Sequence, residues 1–305
     1  MSLEAKLMME RRLKERRSAF WRGVLATFAV LIVLGAVAAW RGAHETPRGP
    51  HIVTHDIFGI IYNDPQRDSA IADLADDPDV RALMLYIDSP GGTTVGAEGL
   101  HDAITRAAAE MPVVVVMGEV AASGGYIAAL ASDHLVARGN TITGSIGVIL
   151  EYPNMTELLG NIGVEMQTFR SSNVKGGPSP FRELTPQQAV EQQAMIEDAY
   201  RWFRALVGEE RGLSGAALDR VAQGQVFSGR QALELALIDA VGGQIEAESW
   251  LAAQDPGLAD LPYHPLFEPE GSASLINLIS EWAGVSRLLP TIGQSGGAGL
   301  LSVLR

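Results

Sequence analysis

Along this chain the spacing of apolar positions changes character three times. Residues 24–40 (VLATFAVLIVLGAVAAW) are apolar without interruption. From Ile52 to Ala253 short apolar runs alternate with stretches whose apolar residues recur every three or four positions. Beyond Asp255 the period fades and Pro and Gly gather. In the middle region the short runs predict strands at Ile52–Tyr62 (one strand or a hairpin), Ala82–Ile87, Val113–Met117, Leu135–Ala137, Ile146–Leu150 and Val164–Arg170. The helical periods predict helices at Asp68–Asp76, Val95–Glu110, Tyr126–Ala131, Asn154–Ile162, Leu213–Ala222, Arg230–Leu235 and Gln244–Ala253. On the second of these, Ala97, Leu100, Ile104 and Ala108 share a face. Thr185-Pro186-Gln187-Gln188 is a helix start, with Thr as the cap, Pro first and Gln three residues after the cap. That helix runs to about Arg211, and its stripe through Ile196, Phe203 and Val207 reads as packing. Alternation of short apolar strands with helices predicts an α/β domain on a mainly parallel sheet flanked by helices. After it come a single amphipathic helix, Leu275–Trp282, and a loose tail from Thr291.

The first apolar run is a different object. As a helix it comes close to spanning a bilayer core of roughly 30 Å, with Trp21 and Trp40 near its ends, as interfacial aromatics stand. Before it lie Lys6, Arg11, Arg12, Lys14, Arg16, Arg17 and Arg22 against Glu4, Glu10 and Glu15. By the positive-inside rule that flank stays in the cytoplasm and Ala43 onward lies across the membrane. A buried core helix is one rival reading. A cleaved secretory signal is another, since Ala36-Val37-Ala38-Ala39 offers a peptidase small residues. The long leader and the length of the apolar core favour an uncleaved anchor. The chain then divides into a basic cytoplasmic segment (1–22), a transmembrane anchor (23–41), a linker (42–51), a folded domain (52–254) and a C-terminal extension (255–305). This is the expected layout of a single-pass protein of a bacterial-type inner membrane, its folded domain on the extracytoplasmic side.

Composition removes several classes of function. The 305 residues are 47% hydrophobic and 19% charged, which fits a folded protein. A formal charge of −13, with an excess of basic over acidic residues only in the first 22, argues against a nucleic-acid partner for the bulk of the chain. There is no cysteine, hence no disulfide, thiolate metal site or Cys nucleophile. No close His pair or HExxH offers a metal site, and Gly91-Gly92 belongs to neither a GxGxxG nor a P-loop pattern. No cofactor is expected.

What chemistry remains gathers at two turns. Asp88-Ser89-Pro90-Gly91-Gly92 and Ala121-Ala122-Ser123-Gly124-Gly125 each follow an apolar strand, precede a helix and carry a Gly-Gly pair. Such strand ends line one crevice of an open parallel sheet, where ligands bind. Free N–H groups on paired glycine turns suit an oxyanion hole, with Ser123 as the nucleophile. Equally, Ser123 fits a plain N-cap role in a tight turn. The six histidines stand in no text that fixes a triad. Lys175 is the only lysine after the basic N-terminal segment, in the small-residue loop Ser172-Asn173-Val174-Lys175-Gly176-Gly177-Pro178. An ordinary lysine, with a pKa of about 10.4, accepts no proton at neutral pH unless burial lowers that value; a solvated surface lysine is the plain alternative.

These two turns, together with Thr143-Gly144-Ser145-Ile146-Gly147-Val148, the Lys175 loop, Val226-Phe227-Ser228-Gly229-Arg230-Gln231-Ala232 and Leu237-Ile238-Asp239-Ala240-Val241-Gly242-Gly243, resemble the signal peptide peptidase A family in its short form, over roughly Ile52 to Ala253. The resemblance implies the fold shared with the Clp protease subunit and the crotonases, making 52–254 a serine peptidase domain. It implies a Ser/Lys dyad, with Ser123 as nucleophile, Lys175 as general base, Ser145 orienting the lysine amine, and the N–H groups of Gly92 and Gly124 as the oxyanion hole. It further implies a homo-oligomeric ring acting on signal peptides and other apolar peptides. A crotonase-type acyl-CoA enzyme and a non-catalytic membrane scaffold are the readings from other classes. The anchor and the Ser123/Lys175 pair stand against the first, and the retained dyad residues stand against the second.

Overall fold

The computed structural model describes residues 20–35 and 49–267. The expectations for most of the basic segment, the end of the anchor, most of the linker, the helix at Leu275–Trp282 and the tail lie outside the described residues. The chain divides into two units, Gly49–Glu268 and a second made of Met1–Arg48 with Pro269–Arg305. In the second unit residues 20–35 form helix α1. Its apolar side chains are exposed, Phe28 by 62% and Leu31 by 59%. It covers residues 23–35 of the predicted 23–41 span. Among the described residues no helix is long and apolar enough to cross a membrane.

In the unit Gly49–Glu268 the sheet is built from β1 (His51–Ile61), β2 (Val80–Gly92), β3 (Val113–Ala122), β4 (His134–Ala137), β5 (Ile142–Gly144), β6 (Val226–Ser228), β7 (Ala240–Val241) and β8 (Tyr263–Pro265). The path runs β6-β5-β3-β2-β1-β8, with β4 beside β3 and β7 beside β4. Every pairing is parallel except that of β5 with β6. The α/β class and the mainly parallel sheet are as expected. Period two decides the faces. Val53, Ile57 and Ile61 of β1, Leu83, Leu85 and Ile87 of β2, and Val113, Val115 and Met117 of β3 point to one side and are buried there. Helices α2 (Pro65–Asp73), α3 (Thr94–Ala108), α4 (Gly124–Leu130) and α6 (Pro186–Glu210) cover that side with Ile71, Leu100, Ile104, Tyr126, Leu130, Phe203 and Val207. Each such buried side chain contributes about 1.5–3 kcal/mol. On the other side, Ile52, Met84, Val114, Val116 and Val136 are covered by Ala247 and Leu251 of α9 (Gln244–Gln254) and by Leu258. Three short helices complete the unit: α5 (Thr156–Asn161), α7 (Gly215–Val221) and α8 (Gly229–Glu234).

Three differences from expectation have local causes. β3 continues past Met117 to Ala122, because Val120, Ala121 and Ala122 pair with β5 after β4 has left the same edge. The stretches Ile146–Leu150 and Val164–Arg170, strand-like in text, are irregular because neither finds a strand to pair with among the described residues. Residues beyond 254 are not all outside the domain. β8 pairs its three residues with Ile52, Val53 and Thr54 along the free edge of β1, a contact too short to leave a periodic signal.

Candidate active site

The two glycine turns leave the carboxyl ends of β2 and β3 side by side, Ser89 being paired with Ala121. Their approach is so close that side chains are excluded. A Cβ on Gly91 would lie 2.9 Å from the Ser123 Cβ and 3.0 Å from the Gly124 nitrogen; one on Gly124 would lie 3.0 Å from the Gly92 nitrogen; one on Gly92 would fall 1.9 Å from the Ile61 carbonyl oxygen. Ser123, Gly92 and Gly124, singled out from sequence, are therefore brought together.

Ser123 stands at the N-cap of α4, yet its hydroxyl makes no capping bond. Thr93, which caps α3, accepts from the Gly96 N–H at 3.1 Å in the ordinary way. The difference lies in the backbone. Ser123 has φ 52°, ψ −119°, a left-handed conformation that non-glycine residues rarely hold. It is held there by its N–H, which donates to the Gly144 carbonyl at 2.9 Å. Gly124, the first residue of α4, has no acceptor for its N–H within the helix. A hydroxyl freed from capping beside closely packed backbone N–H groups suits nucleophilic chemistry with anion stabilisation.

Ser145 follows Gly144 and is the next non-glycine residue with a positive φ, 51°. Its N–H donates to the Gln225 carbonyl at 2.7 Å. Because Gly144 also receives the Ser123 N–H, one short segment fixes both serines. Lys175 is not brought to them. It is exposed, its backbone N–H donates to Ser172 Oγ at 3.3 Å, and among the described residues its side chain is bonded to neither serine. Its loop is nevertheless shaped. Gln188 Nε2 donates to the Asn173 carbonyl at 3.0 Å, and Arg182 donates to the carbonyls of Gly176 and Gly177 at 2.7 and 3.1 Å.

The sequence gives Ser89 and Arg182 no role of their own, and Gln188 only its place in the α6 cap. Ser89 is fully buried. Its hydroxyl accepts the Gly91 N–H at 3.1 Å and donates to the Gly91 carbonyl at 3.2 Å, closing the turn on itself. Serine two residues before a glycine is a turn signal that could have found it. The later motifs act as clamps. Tyr126, in the first turn of α4, donates to the Leu237 carbonyl at 2.7 Å, and burial pushes its phenol above the ordinary range. Asp239 accepts the Leu135 N–H at 2.8 Å and two bonds from Arg211, at 2.8 and 3.1 Å. Burial acts to raise its pKa, but these donors and the guanidinium charge outweigh that and hold the carboxyl below its usual range. Among the described residues no group of His, Asp and Glu is placed to hold a metal.

Residues 105–256 match peptidase family S49. A putative protease of Synechocystis is 38% identical over 183 residues, 59% of this chain and 66% of the relative. A putative signal peptide peptidase SppA of Enterococcus faecium is 29% identical over 228 residues, 73% of this chain and 66% of the relative. The chain spans less than two thirds of the length of the curated relatives it matches first, 66% of one and 56% of the next. Among solved structures, a membrane-bound stomatin-specific protease aligns with 73% of this chain and 100% of its own length at 16% identity, with a TM-score of 0.46.

Proposed function

We infer that this chain, which carries a peptidase family S49 domain at residues 105–256, is an SppA-type serine endopeptidase with a Clp protease/crotonase-like fold and a Ser123/Lys175 dyad. The observation that carries the reading is Ser123 itself: left-handed, its hydroxyl free of capping and packed against Gly91, with Gly124 close against the Gly92 nitrogen. In the proposed reaction Ser123 Oγ attacks the peptide carbonyl carbon while its proton passes to Lys175 Nζ. The N–H groups of Gly92 and Gly124 receive the oxyanion, and the Ser145 hydroxyl orients the amine. The lysine then returns the proton to the leaving amine. Water attacks the acyl-enzyme with the same amine as base.

A lysine serves as base only where its neutral form is favoured by loss of water. Lys175 is exposed in the single chain, so bound substrate or a neighbouring subunit has to cover it. This fits assembly into a homo-oligomeric ring. The substrates proposed are apolar peptides, including remnant signal peptides, cut at the membrane to which residues 23–41 anchor the chain. Quality control or processing of membrane proteins uses the same chemistry; intact membrane proteins compared with short peptides in detergent separate the two.

The test is cleavage of a fluorogenic apolar peptide by Ser123→Ala and Lys175→Ala. Each is expected to lose activity by at least about a thousandfold. Full activity in either variant overturns the dyad. Labelling of Ser123 by a serine reagent separates this chemistry from that of an acyl-CoA enzyme.

A further inference from the structure

The second face of the sheet is covered only in part. Where α9 ends its cover, the face continues toward the carboxyl ends of β1, β2 and β3 and forms an open cavity of about 1140 Å³. Parallel sheets are ordinarily covered on both sides. The floor of this cavity is aromatic: Phe58, 61% exposed, lies against Tyr86 with ring centroids 5.6 Å apart at 52°. Gly118 makes room for that floor, since a Cβ there would lie 2.6 Å from the Tyr86 hydroxyl. Asp56 and Glu119 line the walls, and neither is in an ion pair among the described residues. Arg138 is the one cation lining the cavity.

We propose that this groove docks a peptide segment that carries a lysine or arginine beside an apolar residue. The Phe58–Tyr86 floor takes the apolar side chain and offers ring faces to the cation. The two carboxylates take the ammonium or guanidinium in charge-assisted hydrogen bonds. The cavity carries the site; the carboxylates set the sign of what enters it. β3 runs from the groove toward Ser123, with Val120, a lining residue, three positions before it. A segment held there therefore belongs to the same polypeptide that the candidate active site would cut. This last link rests on the peptidase reading; the docking itself does not.

The experiment uses the full-length Ser123→Ala chain in detergent and a fluorescein-labelled peptide of alternating Lys and Phe, read by anisotropy. Saturable binding is expected, weakened at least about tenfold by replacing the peptide's lysines with glutamate, and by Asp56→Asn with Glu119→Gln in the protein. Phe58→Ala, which removes an exposed side chain, weakens binding without disturbing the core. Blocking Ser123 of the unaltered enzyme with a serine reagent leaves binding intact. Absence of saturable binding, equal affinity for the lysine and glutamate peptides, or loss of binding when Ser123 is blocked overturns the proposal. So does a change in sedimentation of the double variant with peptide affinity unchanged, which would make the groove a contact between copies. Should Ser123→Ala still cleave, the peptidase reading fails while the docking result stands.

Discussion

At the scale of single residues, Ser123 shows how strain and chemistry are joined. A non-glycine residue at φ 52°, ψ −119° costs about 1–3 kcal/mol, which the surrounding structure has to offset. Glycine adopts such a conformation freely, though it loses about 0.5–1 kcal/mol to its greater freedom in the unfolded chain. Ser123→Gly is therefore expected to unfold at higher urea than Ser123→Ala, by about 1 kcal/mol, while both lack peptidase activity. A Ser123→Gly variant less stable than Ser123→Ala by about 0.5–1 kcal/mol in urea titrations would mean that the backbone is not strained there. The serine was legible in sequence as a residue between small neighbours at a strand–helix junction. Its left-handed backbone was not, because the cause is a hydrogen bond to Gly144, twenty-one positions on.

At the scale of elements, legibility follows the length of the pattern. α6, announced by Thr185-Pro186 and Gln188, appears at Pro186–Glu210 with its capping box formed. α3 and the core of β3 fall within a few residues of expectation. β5, β6 and β8, three residues each, were missed because a tertiary partner, not a local period, makes them strands. The same dependence on partners governs the Asp239 clamp, which ties the start of β4 to Arg211 at the end of α6. Its folded-state pKa is depressed, so its stabilisation is present above the ordinary carboxyl pKa of about 3.9 and is lost as pH falls through the lower folded value. Asp239→Asn is expected to cost about 1–2 kcal/mol at neutral pH. Thermal unfolding at pH 6 and pH 3 checks this: the gap between the parent and the variant should narrow at the lower pH. A gap that is constant or widens in acid would show that the carboxylate's charge contributes nothing to the clamp.

At the scale of the whole molecule, the stretch between β5 and α6 asks for something beyond one chain. It holds Lys175, two unpaired strand-like segments, and apolar side chains in water: Phe169 is 95% exposed, Ile149 81% and Ile162 64%. Single exposed apolar residues are ordinary, but a run of them along a segment marks a surface that another body covers. Burying one such side chain is worth about 1.5–3 kcal/mol, that is, tenfold to more than a hundredfold in association. We expect copies of this chain to cover the stretch, and the cover to remove water from Lys175. The specific activity of the detergent-solubilised enzyme should then fall on dilution, in step with loss of the larger species in sedimentation. Phe169→Asp should shift both transitions to at least about tenfold higher concentration, while Tyr126, in the core, keeps its near-ultraviolet dichroism. A monomer that is fully active at every dilution would sink this reading, because an exposed lysine in a single chain would then be acting without the desolvation its chemistry needs.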